Sequence, residues 1–120
     1  MRSPPVVATT FVLLALALAF GRCSLSSPEA KKAKHRERGQ AYFEKGQSQE
    51  ALIEYKTVVQ MDPKDADGHY RLALTCLKLG SLPHRQTAFS ELTTTIELNP
   101  GNRDAQLALG ELYLLNRDPV

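Results

Sequence analysis

The side chains of this chain that could do chemistry are three histidines, two cysteines and a short run of hydroxyls. His35 and His69 stand 34 residues apart, a regular interval that suggests a metal pair. No cysteine or carboxylate accompanies both at a ligand spacing, so no metal site is expected and the two rings read as packing groups. His84 lies next to Arg85 and reads as a solvated loop residue. Cys23 and Cys76 are remote from each other and share no ligand spacing with a histidine, which argues against a disulfide framework and a structural zinc site. Cys76 reads as a small buried hydrophobe, because a reactive thiol needs a partly exposed, electropositive setting. Ser90, Thr93, Thr94 and Thr95 have no recognisable histidine and aspartate partners, and no glycine-rich phosphate loop occurs. Neither catalysis nor a cofactor is expected.

Charge narrows the partners. A formal net charge of +2 over 120 residues gives no concentrated basic face, so nucleic acid is not an expected ligand. The local exception is "EAKKAKHRER", residues 29–38, with five Lys and Arg against two Glu. It reads as the solvated face of a helix, with contact to anionic lipid headgroups as the other reading. The N-terminus is apolar from Val6 to Phe20 apart from Thr9 and Thr10, the length of an export-signal core and shorter than a spanning helix.

The elements that must position these side chains are helices, and they repeat. Ser27 can cap, Pro28 fits a first turn and Glu29 suits the positive helix end. From there the pattern predicts helices over 28–45, 48–61, 66–79, 83–98 and 103–116. In the second, Ala51, Leu52, Tyr55, Val58 and Val59 form one apolar face. Gly46 and Gly80, also 34 apart, fall where the first helix of each unit must end in the left-handed conformation. Pro63 and Pro100 stop the second helices, and their interval of 37 places a three-residue insertion in "SLPHRQT" between Gly80 and Ala88. Gly39, Ala73 and Gly110 are small residues at matching positions of the first helices, and Ala51 and Ala88 are small at matching positions of the second helices.

Gly39, Tyr42, Ala51, Tyr55 and Pro63 in the first unit, Leu72, Ala73, Cys76, Ala88, Leu92 and Pro100 in the second, and Leu109, Gly110 and Tyr113 in a third carry a resemblance to the tetratricopeptide repeat family. His35 and Arg38 stand where that pattern has an aromatic and a leucine. The resemblance implies an all-α, TPR-type α-solenoid of antiparallel helix pairs with about two and a half repeats. These are 32–65, 66–102 and a partial 103–120, within a repeat domain over 30–120. It further implies that a protein or peptide lies in a concave groove lined by the first helix of each unit. Transferring the groove positions gives Arg36, Gln40, Phe43 and Glu44, then Asp67, Tyr70, Leu74, Leu77 and Lys78, then Asp104, Leu107, Glu111, Leu114 and Leu115. Gln40 and Ala108 stand where members that clamp a C-terminal carboxylate have asparagine and a basic residue, so apolar anchors are the expected mode of binding.

The last helix carries leucines on nearly every side, whereas a terminal solenoid helix needs a polar outer face. A longer array with a further helix after "NRDPV" is the favoured expectation, and homodimerisation or a partner on the C-terminal helix is the alternative. The apolar N-terminal run ends in "FGRC" and resembles a bacterial lipoprotein signal, which implies residues 1–22 as signal peptide, Cys23 as the lipidated residue and 23–29 as linker. Phe20 and Arg22 depart from that family's leucine and small residue. Cleavage after Ala17–Ala19 and an uncleaved membrane anchor remain as alternatives. Ser24 resembles an outer-membrane sorting signal. The combined expectation is a non-enzymatic, membrane-anchored adaptor of the bacterial envelope, facing the periplasm. The alternatives are a soluble exported chaperone-like module and a regulatory fragment of a larger enzyme or secretion component.

Overall fold

The computed structural model describes residues 27–117, in which five helices follow one another. They are α1 (Pro28–Glu44), α2 (Ser48–Met61), α3 (Ala66–Leu79), α4 (Leu82–Leu98) and α5 (Arg103–Arg117). No helix among the described residues is long and apolar enough to cross a membrane. The segment expected as an export signal and Cys23 lie outside the described residues.

The punctuation expected of glycine and proline sets the helix ends. Gly46 (φ 75°) and Gly80 (φ 71°) are left-handed, a conformation that a Cβ disfavours. Asp62 and Asn99 precede the prolines and leave the helical region, at φ −142° and −139°. The Ser27 hydroxyl accepts the Ala30 N–H at 3.1 Å and starts α1. The compact unit that carries the core begins at Lys32.

That core is a continuous file of small and large side chains. Ala51, Val58, Ala73, Cys76, Ala88, Leu92 and Ala105 are wholly buried, with Tyr55, Leu72 and Leu112 close behind. Each large apolar group removed from water contributes roughly 1.5–3 kcal/mol, and the alanines let the helices approach closely enough to collect it. Two buried hydroxyls, Thr75 and Thr95, donate to the carbonyls of Arg71 and Glu91 at 2.8 and 2.7 Å and so lose no hydrogen bond on burial. Thr93 and Thr94 do the same to Phe89 and Ser90.

Three expectations change. The three inserted residues lengthen a helix and form no loop: α4 has 17 residues against 14 in α2. Ser81 caps it, and His84, expected in a solvated loop, sits in its first turn with Nδ1 2.6 Å from the Ser81 hydroxyl. The helix absorbs the insertion because Ser81 and Pro83 supply a cap and a first-turn proline one turn earlier than needed. Gly110 was the third expected contact position, yet a Cβ there would meet nothing within 4 Å. Its close neighbour is missing among the described residues, whereas a Cβ on Gly39 would come within 2.9 Å of the Tyr55 ring.

Candidate functional site

α1 and α3 are the first helices of successive units, and their facing sides enclose a recess lined by Gln40, Phe43, Tyr55, Arg71 and Leu74. Gln40, Phe43 and Leu74 are thus brought together as expected. Lys78 closes one side, its Nζ 3.9 Å from the centre of the Phe43 ring, where the aromatic quadrupole attracts the ammonium. Leu77 and Tyr70 are half-buried against the core, and Leu107 and Glu111 are exposed on α5 away from the recess. Burial raises the Tyr70 pKa first, and the Asp104 carboxylate adds to it, so α3 and α5 sense each other's charge across the groove.

The centre of the recess is polar and satisfied from within. The Gln40 carbonyl oxygen accepts from the Tyr55 hydroxyl at 3.2 Å and from Arg71, while its amide nitrogen donates to Glu44 at 2.6 Å. Arg71 donates through Nε to Asp67 at 2.8 Å. Burial opposes the Arg71 charge, but the bonds to Asp67 and Tyr55 and their charges together outweigh it and the net shift is upward, so the guanidinium remains cationic. With both ends of its amide engaged, Gln40 has little capacity left for a peptide carboxylate. The sequence reading omitted Arg71, the recess's central cation. Its signal was the Asp67 carboxylate one helical turn before it.

Arg36 lies beside this recess, next to Ala33, Glu37, Gln40 and Arg71. It pairs with Asp65 and approaches Asp67 at 3.8 Å. Lys32 reaches Asp62 at 2.7 Å and Asp65 at 3.7 Å. The bond from Lys32 is the main reason that the Asp62 carboxyl is held below its usual range. Asp65 also caps α3 by accepting the Gly68 N–H at 3.0 Å. The basic segment of α1 is therefore partly neutralised by the acidic turn before α3, and it is not a uniformly solvated face. Gly68 lets α3 pack closely on α2, since a Cβ there would lie 2.9 Å from Val58 Cγ1.

The two histidines are not simple packing groups. His35 Nδ1 lies 2.6 Å from Glu54 Oε2, and His69 Nδ1 lies 2.5 Å from Glu91 Oε2. A carboxylate does accompany each ring, supplied by the second helix of the same unit. The signal was present: Glu54 and Glu91 are 37 apart, the interval of the two prolines. His69 Nε2 also lies 2.7 Å from the Pro63 carbonyl. Burial alone would lower the His69 pKa, but the bonds to Glu91 and Pro63 and the Asp65 charge win, and the net shift is upward. Among the described residues no group of three or more histidine, cysteine, aspartate or glutamate side chains could hold a metal ion. Cys76 is a buried free thiol pushed up to about 11 by its burial, so it is inert as a nucleophile near neutral pH.

Among known proteins, the family model described as TPR repeat matches residues 39–80, the stretch from the contact glycine of α1 to the terminating glycine of α3. No curated protein matches the chain.

Proposed function

With tetratricopeptide-type repeats as the premise, we propose that the chain is a non-enzymatic scaffold that holds a protein ligand along α1 and α3. The observation that carries this reading is the recess in which Phe43 and Leu74 surround Arg71 and Gln40. Apolar walls supply anchors, and one cation held by Asp67 and Gln40 orients polar groups of the ligand. A photocrosslinking side chain at Leu74 should capture a discrete partner in the source cell, whereas the same probe at exposed Ile53 of α2 should not. Leu74→Arg in a chain crosslinked from Phe43 should abolish the product. Equal capture from Leu74 and Ile53 overturns the groove.

The cellular setting follows from the N-terminus. "FGRC" supports export and acylation at Cys23, placing the groove in the bacterial envelope as an adaptor for assembly or secretion. Metabolic labelling with a palmitate analogue should mark the wild-type chain and fail on Cys23→Ala. Equal labelling sinks the lipoprotein and leaves a soluble exported module.

A further inference from the structure

The first helices of successive units share a row of positions whose surroundings differ from unit to unit. In α3 the row is Gly68, Leu72, Thr75 and Leu79, and in α5 it is Ala105, Leu109 and Leu112; all are buried or half-buried. Gly68 opens its row against Val58 of α2. The matching row of α1, 34 residues before that of α3, is Lys34, Arg38, Ala41 and Lys45, and every member is exposed. Steps of four, three and four residues put these side chains on one side of the helix, in a strip about 16 Å long.

The bases of α1 divide into two sets. Lys32, His35 and Arg36 are tied to Asp62, Glu54 and Asp65. Lys34, Arg38 and Lys45 have no ion-pair partner among the described residues, and Glu37, one turn after Lys34, does not pair with it. Lys34 and Arg38 are like charges four residues apart, which works against the helix unless an anion answers them. A face that serves only solubility mixes both signs, whereas this strip carries one. Covering it with an apolar helix face would bury each charge unpaired. The contrast with α3 and α5 therefore lies in side-chain type, whatever precedes α1.

We propose that Lys34, Arg38 and Lys45 rest on an anionic lipid surface. Small Ala41 at the centre of the strip lets α1 lie against a plane, and no aromatic side chain of α1 is exposed beside the cations, as base stacking would require. The same chain supplies a reason for a bilayer. Lys34 follows the apolar run Val6–Phe20 by 14 residues, a span of at most about 50 Å when fully extended. An N-terminus seated in a membrane keeps the strip within reach of headgroups, where each base raises the docked-to-free ratio about fivefold. The choice of occupant rests on the membrane-anchored reading of the N-terminus, and acylation is not required for it.

The test uses the full chain with Cys23→Ser, so that a failed palmitate label and a failed strip are separate outcomes. A polarity-sensitive fluorophore is placed on Ala41→Cys, or on Glu111→Cys of α5 as reference; Cys76 is buried and takes no dye. Vesicles are phosphatidylcholine alone or mixed with phosphatidylglycerol. The anionic lipid should shift the Ala41 probe to lower polarity and leave the Glu111 probe unmoved, and added salt should reverse the shift. Lys34→Gln, Arg38→Gln or Lys45→Gln should each lower the docked-to-free ratio about fivefold, and the three together should abolish the shift. Lys32→Gln with Asp62→Asn removes a bonded pair of no net charge and should leave it intact. An equal shift on neutral vesicles, a shift that survives the triple change, or an equal loss from the Lys32 and Asp62 pair overturns the proposal. So does a matching shift with duplex DNA or polyglutamate, because the occupant is then another polyanion.

Discussion

Gly39 and Gly110 hold the same position in their repeat units, and their surroundings are opposite. At Gly39 the ring of Tyr55 lies where a side chain would be, and the glycine is buried; at Gly110 there is open space. The first unit is a closed helix pair, tied additionally by His35 and Glu54. In the third the described residues supply one helix, α5, whose Leu107, Tyr113, Leu114 and Leu115 are more than half exposed. A small residue in a repeat is a permission for close approach, and it becomes a contact only when a neighbouring helix arrives. Among the described residues, the same spelling marks a filled contact at Gly39 and an open position at Gly110.

Three changes would break or sharpen this contrast. The largest effect should come from Tyr55→Ala, which empties the volume over Gly39 and removes the hydroxyl from Gln40. It should cost about 3–5 kcal/mol in urea unfolding, with no comparable loss for Tyr113→Ala on the open helix. Next, one substitution should carry opposite signs at the two glycines. Gly110→Ala should stabilise by about 0.5–1 kcal/mol through helix propensity alone. Gly39→Ala gains the same propensity but drives its Cβ into a ring that cannot swing away, so it should destabilise by roughly 1 kcal/mol net. Equal signs would mean that the Tyr55 ring is not where the contact places it.

The smallest effect is a pH dependence. Because the folded-state pKa of His69 lies above its ordinary 6.5, its contribution to stability is fully present below that value and fades as pH rises through the raised one. Thermal unfolding should therefore show a modest decline just above pH 6.5, and His69→Gln should flatten it.

Helix identity and limits were almost wholly legible, because they rest on local chemistry. The αL glycines, the stopping prolines and the apolar spacing act within a few residues of themselves, and α1, α4 and α5 differ from their expected spans by one residue each. Part of the recess between α1 and α3 was legible for the same reason: the period assigns Gln40, Phe43 and Leu74 to one side of their helices. What escaped were pairings across the turns. The bonds of Arg71 to Gln40, of Arg36 to Asp65 and of the histidines to Glu54 and Glu91 join residues 19 to 31 apart. Local periodicity does not choose among the acids that each base could reach.

By itself the sequence determined the repeat and the helix ends, since both follow from backbone conformation and side-chain type at short range. Only the tertiary structure decided which small residues are covered, which charges neutralise one another and where apolar surface remains bare. Those outcomes depend on whether a second helix lies within a few ångströms, and distance between helices is a property of the packed chain.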